Sequence, residues 1–284
     1  MSDSRYITAC PVGCSAALSA TRIVLPEGAL LRCGECGQLV SQTTDEHYWR
    51  TMRAFDAADF NQPEGRELSR RDEVSRRRLE KIAKLAGRAP TDMRLLDVGC
   101  SRGHFVAAAA RMGYRAEGVE PAPHIAGAAR AAGLSVHTGL LEEQRFPDAS
   151  FDAITSFEVL EHLREPLPLM RECTRLLAPG GVMCVTTGNA ASWTVAAMAA
   201  RWDYFRMDKD AGHVSFYNPR SLALLAQRAG LSVIAVTTAR VRFSEKGDVS
   251  RPVHAAAKLA AELLSYPARL AGRGHDMIGW FTRA

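Results

Sequence analysis

The feature that most constrains the fold is the change of hydrophobic pattern within residues 94–121, which read RLLDVGCSRGHFVAAAARMGYRAEGVEP. RLLDVG is a short apolar run typical of a buried strand, HFVAAAARMG has the composition of a helix, and RAEGVEP is a second apolar run. Two strands joined by a helix lie parallel in one sheet, because the helix carries the chain back to the same end. The segment therefore predicts an α/β fold.

The same alternation continues along the rest of the chain. Five further strands are predicted at LSVHTG, FDAITSFEV, VMCVTTGN, LSVIAVTTARV and DMIGWFT, and three further helices at HIAGAARAAG, PLPLMRECTRLLAPGG and PRSLALLAQRAG. Such alternation is typical of a mostly parallel sheet with helices on both faces. We therefore expect a Rossmann-like, doubly wound sheet of seven strands, and 284 residues with a hydrophobic content of 47% suffice for its core.

The turn after the first of these strands predicts a ligand site. In a doubly wound sheet the ligand binds beyond the carboxyl ends of the strands, and Gly99 and Gly103 allow the backbone of the turn to approach it. Asp97 precedes the turn, and its carboxylate would repel a pyrophosphate but attract an ammonium group. This favours S-adenosylmethionine (SAM) over a dinucleotide. Glu120, at the end of the second strand, can accept hydrogen bonds from both ribose hydroxyls.

Four of the seven cysteines lie in the first 36 residues, with Cys10 and Cys14 spaced C-x3-C and Cys33 and Cys36 spaced C-x2-C. The two pairs flank a predicted hairpin of TRIVL and ALLRC, which would bring four thiolates to one tetrahedral Zn²⁺ ion. A segment this small needs a cross-link of that kind for stability. Unrelated cysteines or a redox-active C-x2-C pair are the alternative.

The pattern divides the chain into three parts: a zinc ribbon over residues 1–44, a helical linker or lid over 45–89, and a ligand-binding domain over 90–284. The linker contains an amphipathic helix, closed by Pro90, whose arginine run 76–78 could contact phosphate or form a solvated face. Insertions are expected at about 188–218 and 240–275. The second would hold an alanine-rich helix broken at Pro267.

Five stretches, in this order, resemble the class I SAM-dependent methyltransferases: LLDVGCSRGHF, AEGVEP, FPDASFDAITSFEVLEHL, RLLAPGGVMCVTTGN and GHVSFYNPRSLALLAQRAGL. With its cysteine-rich start, the chain is similar to the branch of that superfamily that carries an N-terminal zinc ribbon. The resemblance implies a set of donor-binding positions. The methionine part would be held by Asp97, Gly99, Ser101 and Gly103 and the ribose by Glu120, while Phe157 and Glu158 would line the donor pocket. Leu140 and Leu141 stand where the family often has an acidic residue that reads the adenine amino group, so that apolar or backbone contacts would hold the adenine here, and Pro121 is a further donor-binding position.

Methyl transfer to a hydroxyl or a carbon acid also needs a base. His162 follows the fourth predicted strand and His213 follows the fifth, so the topology places both near the open end of the sheet. Either could be the catalytic base. The alternative for His162 is that it only shapes the donor pocket, and His213 could equally be a structural residue. Tyr204, Arg206 and Tyr217 flank the same region and could bind an anionic or sugar acceptor.

These features predict a methyltransferase that acts on a small molecule: a sugar, a surface-polysaccharide precursor or a secondary metabolite. The alternatives are an RNA-directed enzyme that grips nucleic acid with the ribbon and the arginine-rich helix, and a non-catalytic scaffold that binds the donor. A net charge of +5 suits an anionic partner without requiring one. We expect a cytoplasmic protein without a membrane span. A homodimer is compatible with the sequence.

Overall fold

The computed structural model describes residues 4–57, 65–206, 212–244, 247 and 249–284. Parts of the predicted linker (58–64) and of the two predicted insertions (207–211, and 245, 246 and 248) lie outside these ranges. The strands are β1 (Leu18–Leu25), β2 (Gly28–Cys33), β3 (Leu39–Val40), β4 (Arg94–Val98), β5 (Arg115–Glu120), β6 (Val136–Thr138), β7 (Phe151–Phe157), β8 (Leu177–Gly188), β9 (Ser215–Phe216), β10 (Ser232–Ala239) and β11 (Asp276–Thr282). The α-helices are α1 (Asp45–Ala57), α2 (Gly65–Ala86), α3 (His104–Arg111), α4 (Pro123–Ala131), α5 (Pro166–Leu176), α6 (Trp193–Met198), α7 (Pro219–Arg228) and α8 (Arg251–Leu270).

The main sheet has seven strands in the order β10-β11-β8-β7-β4-β5-β6. Strands β4 to β8 pair in parallel, and β11 is antiparallel to both of its neighbours. The predicted Rossmann-like fold is confirmed. The strand order reverses at β4, which has β5 on one side and β7 on the other. In such sheets the ligand binds at the carboxyl ends of the strands next to this reversal.

Helices cover both faces of this sheet, which explains why its central strands are continuous apolar runs. Successive residues of β4 point to opposite faces, so that Leu96 belongs to one buried cluster and Leu95 to the other. On the first face Leu96 packs with residues of α5 and α7, such as Met170 and Leu222. On the second face Leu95 packs with residues of α2 and α3, such as Leu79.

The cysteine-rich segment forms a second sheet, in the order β1-β2-β3-β9. Its last strand comes from the first predicted insertion: Leu39 pairs with Phe216 and Val40 with Ser215. The side-chain amide of Gln38 also donates to the hydroxyl of Ser215 over 2.8 Å. The N-terminal sheet is therefore completed by a strand from beyond residue 90.

Three local features differ from the sequence expectations. Helix α1 was not predicted. Helix α2 ends at Ala86 rather than at Pro90, because Gly87 takes a left-handed φ of 63° and Arg88 N donates to Ala83 O. The predicted break at Pro267 is wrong, since α8 continues to Leu270. Pro267 lies in the last turn, three residues before the end of the helix.

Candidate active site

The turn between β4 and α3 has a tightly constrained backbone. Gly99 and Gly103 have φ values of 74° and 76°, in the left-handed region that disfavours side chains. A Cβ at Gly99 would lie 2.5 Å from Val159 Cγ2, and one at Gly103 would lie 2.5 Å from Leu134 Cδ1. Both glycines are thus required by the packing of neighbouring side chains as well as by conformation. The close approach of the backbone to a ligand, expected from the sequence, is a further reason for glycine at these positions.

Asp97 is buried at the carboxyl end of β4. Its Oδ1 accepts a hydrogen bond from the Thr155 hydroxyl over 2.7 Å, which fixes the carboxyl group across the β4–β7 pair. Burial raises the pKa of Asp97 to about 7, although the bond from Thr155 and the charge of Arg78 act in the opposite direction. The carboxyl group therefore changes charge near neutral pH.

Glu120 ends β5 and connects this strand to the glycine turn. Its Oε2 accepts a hydrogen bond from Ser101 N over 2.9 Å and its Oε1 accepts one from Ala122 N over 3.0 Å. The side chain is buried. These two backbone bonds orient the carboxylate toward the glycine turn.

A cavity of about 380 Å³ lies beside the turn and brings four of the predicted donor-binding residues together. These are Asp97, Gly99, Ser101 and Phe157. Gly103, Glu120, Pro121 and Glu158 lie next to this region of the fold but do not line the cavity. Of the two predicted adenine-contacting residues, Leu140 is exposed and Leu141 is packed in the core.

The opposite wall of the cavity is formed by α2, which lies in the predicted linker or lid. Arg71, Val74, Ser75 and Arg78 line it at helical spacings of three and four residues. The guanidinium carbon of Arg78 lies 4.5 Å from the centroid of the Phe157 ring. Sequence reasoning missed Arg78, although its spacing from Val74 was a usable signal that both face the same side.

The segment after β7 carries two acidic residues, of which Glu158 is exposed and Glu161 is buried. Glu158 accepts a hydrogen bond from the Thr186 hydroxyl over 2.8 Å at Oε1, and the Tyr204 hydroxyl donates to its other oxygen. Glu161 is fully buried. Desolvation by the surrounding protein raises the pKa of both carboxyl groups, and the charge of Glu158 raises the pKa of Glu161 further.

The two histidines predicted as base candidates are brought together. The ring centroids of His162 and His213 lie 4.7 Å apart, and Nδ1 of His213 lies 3.1 Å from the backbone oxygen of Tyr204. A carbonyl oxygen only accepts, so Nδ1 carries the proton and Nε2 is the basic nitrogen of the neutral ring. Burial and the neighbouring His162 hold the pKa of His213 well below its usual value.

Contacts from two other elements fix the histidine pair. The Tyr48 hydroxyl of α1 donates to the backbone oxygen of His162 over 2.8 Å. Val214 N donates to the backbone oxygen of Glu161 over 2.8 Å, which joins the His213 segment to the segment after β7. Tyr217 is completely buried, and its hydroxyl contacts Leu160 O. Tyr217 therefore stabilises the segment after β7 from the interior of the protein.

The four N-terminal cysteines form a buried cluster whose Sγ atoms all lie within 4.8 Å of one another. Cys10 Sγ and Cys36 Sγ are 3.6 Å apart. Gly13 lies between the cysteines of the first pair and Gly37 directly after the second pair, both with positive φ; Gly13 N donates to Cys10 O over 2.9 Å and Gly37 N to Cys33 O over 3.0 Å. Four converging thiols are the donor set of a structural zinc site, and the cluster is compatible with zinc.

With this geometry established, the chain can be compared with known proteins. Residues 69–236, more than half of the chain, match a family described as Methyltransferase domain. The chain belongs to this methyltransferase family. The resemblance drawn from the five sequence stretches is thereby confirmed. The matched range includes α2 from Ser69 onward, so most of the helix that forms the wall of the cavity lies within the family domain.

Curated relatives of this methyltransferase match about half of it. A ubiquinone biosynthesis O-methyltransferase of Xanthomonas axonopodis pv. citri is 31% identical over 156 residues, which are 51% of this chain and 64% of that protein. The enzyme of the same name from Xanthomonas campestris pv. campestris is 33% identical over 150 residues, 49% of this chain and 63% of that protein. The matched region thus spans less than two thirds of the length of these relatives.

Solved structures support the fold of the methyltransferase. A SAM-dependent methyltransferase from Thermotoga maritima has a TM-score of 0.52 and 17% identity, over 82% of this chain and 100% of that one. One from Archaeoglobus fulgidus has a TM-score of 0.53 and 17% identity, over 75% and 94% of the two chains. At such low identity the likeness concerns the fold alone.

Proposed function

We propose that this methyltransferase transfers a methyl group from SAM to a hydroxyl oxygen of a small molecule. The observation that carries the proposal is the basic Nε2 of a neutral, buried His213 beside His162 at the end of the sheet where the donor cavity lies. A hydroxyl acceptor needs such a base, and relatives named O-methyltransferases use an acceptor of that kind.

The donor cavity suits the amino-acid end of SAM, which carries both an ammonium and a carboxylate. Asp97 on β4 and Arg78 on α2 both line it, so that one wall carries an acid and the other a guanidinium. Asp97 would bind the ammonium and Arg78 the carboxylate. Glu120, oriented by Ser101 N at the end of β5, would accept from the ribose hydroxyls. The glycine turn would lie against the methionine part.

SAM supplies a methyl group on positively charged sulfur, and the carbon–sulfur bond breaks as the acceptor oxygen bonds to that carbon. His213 Nε2 would take the hydroxyl proton. The backbone oxygen of Tyr204 holds the ring in the required tautomer through Nδ1. Phe157, packed edge-on against Phe105 at 4.8 Å, would exclude water from the donor side.

We propose a structural role for zinc at Cys10, Cys14, Cys33 and Cys36. The cluster lies against α7, where the Asn218 side chain donates to Cys36 O over 3.1 Å and Arg228 donates to Val12 O over 2.8 Å. A bound ion would fix the sheet that ends in β9, the strand that closely follows His213. The metal would thus stabilise the acceptor side of the site without touching the reacting atoms.

A small-molecule acceptor is favoured over RNA by the charge pairing of α2. Arg71 pairs with Glu67 over 2.8 Å, and Arg76 pairs with Glu73 over 2.8 Å. Arg77 also contacts Glu73, over 2.6 Å. Part of the basic charge that suggested nucleic-acid binding is thus paired within the helix, whose four acidic residues offset half of its eight basic ones. A sugar, a polysaccharide precursor or a secondary metabolite remains the proposed substrate class.

The proposal is tested by incubating the purified protein with methyl-labelled SAM and three acceptor pools: phenols, nucleotide sugars, and total bacterial RNA. We expect label in one small-molecule pool, S-adenosylhomocysteine in equal amount, and a product heavier than its substrate by one CH₂ group. The matched control is His213→Ala. Label in RNA would support the nucleic-acid alternative. SAM binding with no transfer to any pool would support the scaffold alternative.

A further inference from the structure

Helix α8 exposes large apolar side chains to solvent. Among the described residues, six of the eleven exposed large hydrophobic side chains lie on this one helix: Val253, Leu259, Leu263, Leu264, Tyr266 and Leu270. Leu259, Leu263, Tyr266 and Leu270 follow one another at spacings of four, three and four residues. They therefore form a single stripe, about 17 Å long at a rise of 1.5 Å per residue. We call these four residues the α8 stripe.

The inner face of α8 fixes the direction in which the stripe points. Ala261 and Ala268 are buried and pack in one cluster with Val241. The Ser265 hydroxyl accepts from Val241 N over 3.2 Å, and Arg273 N donates to Ala268 O over 2.7 Å. The residues that hold the helix on the protein are thus small, and the large apolar residues face outward. A helix of a soluble protein normally has the reverse arrangement.

Basic residues border the stripe. Within α8, Arg251, Lys258 and Arg269 are separated by seven and eleven residues, which places them along one edge of the helix. Glu262, the one acidic residue of the helix, lies on the same edge, four residues after Lys258, so that the edge carries three positive charges and one negative charge. A convex apolar ridge with a cationic edge is the pattern of helices that lie in the headgroup layer of an anionic bilayer.

We propose that α8 is a membrane-surface helix that docks this protein on a bilayer containing anionic lipid. The stripe would enter the boundary between headgroups and acyl chains, and the cationic edge would contact lipid phosphates. No helix in the described ranges is long and apolar enough to cross a membrane, so the attachment is peripheral. The inference stands on α8 and does not depend on the proposed methyl transfer.

The charge pattern disfavours a second copy of this chain as the occupant. Two α8 helices packed antiparallel about Leu263 would bring Lys258 of each near Arg269 of the other. The repulsion between these neighbouring positive charges opposes a symmetric dimer. A lipid surface, in contrast, supplies negative charge along the full edge of the helix.

The test is flotation of the purified protein with vesicles of phosphatidylcholine alone or with a third of phosphatidylglycerol, at low salt. We expect the wild type to float with the anionic vesicles and to bind neutral vesicles at least fivefold less. Leu259→Ser combined with Leu263→Ser should reduce flotation at least fivefold, and Lys258→Glu should do so more weakly. Val24→Ser is the matched control, because Val24 is 62% exposed and Leu263 70%. It should float like the wild type.

The variants change exposed side chains, and circular dichroism with thermal melting checks that they fold. Failure of the wild type to float with anionic vesicles would overturn the proposal. So would equal flotation of the double variant. Sedimentation equilibrium tests whether a second copy of this chain covers the α8 stripe. A wild-type dimer that dissociates in the double variant would assign the stripe to that second copy and overturn the membrane proposal.

Discussion

The imidazole rings of His162 and His213 lie 4.7 Å apart, although 51 positions separate them in the chain. His162 follows β7 and His213 precedes β9, so the two sheets of the protein meet at this pair. The neighbour helps to keep His213 neutral, because a charge on one ring disfavours a charge on the other. The same contact makes His213 available as a base at neutral pH.

Replacing His213 by alanine should lower kcat by about 10²–10⁴-fold, the usual contribution of a positioned base. The dissociation constant for SAM should change less than threefold, because His213 does not line the donor cavity. Steady-state kinetics and calorimetry measure the two quantities. His162→Ala is the companion variant, and a larger loss of kcat there would make His162 the base.

Replacing Arg78 by alanine should weaken SAM binding about tenfold, since a charge-assisted hydrogen bond contributes about 1.5–3 kcal/mol and this side chain can reach solvent. The reason is the loss of its proposed partner, the donor carboxylate. Binding of 5′-methylthioadenosine, which lacks that carboxylate, should be unchanged. Arg77→Ala is the matched control on the same helix, where Arg77 pairs with Glu73. An equal loss for both ligands would remove Arg78 from carboxylate binding.

The affinity for SAM should rise with pH through about 7, because the raised pKa of Asp97 means that its carboxylate forms only there. Between pH 6 and pH 8 the gain should be about tenfold if one ionisation controls binding. Asp97→Asn should bind weakly at both pH values and show a flat profile. Calorimetric titrations across this range provide the measurement. A flat wild-type profile would contradict the proposed contact with the ammonium group.

The same pKa shift has a consequence for stability. A carboxyl group whose pKa is raised on folding binds more protons in the native state, so the free energy of unfolding falls as the pH rises from about 4 to about 7. Asp97→Asn should remove this part of the pH dependence. Urea unfolding at pH 4.5 and pH 7.5, without SAM, measures the free energy of unfolding of the wild type and of Asp97→Asn.

Metal analysis of the purified protein should find about one zinc per chain, bound by the four N-terminal cysteines. Cys33→Ser should lose the metal and lower the melting temperature, because structural zinc contributes about 10 kcal/mol or more to the folding of such modules. Cys173→Ala is the control, since Cys173 is equally buried but lies in α5 outside the cluster. A metal-free protein that melts at the same temperature would contradict the zinc proposal.

Local sequence patterns determined much of what is described above. The alternation of apolar runs and helices predicted the seven-stranded sheet, and Asp97 and Glu120 were placed at strand ends because the carboxyl ends of parallel strands meet at one edge. The cysteine spacing predicted the buried four-thiol cluster. Each of these signals lies within a few tens of residues, so pattern and spacing were sufficient.

Only the tertiary structure decided which faces meet. It placed Arg78 opposite Asp97, paired β3 with β9, and turned the large apolar residues of α8 outward. In each case the sequence allowed another answer: a solvated arginine run, a self-contained ribbon, or a helix with its leucines in the core. The physical reason is that these contacts join distant segments, and their energies depend on packing that no local period encodes.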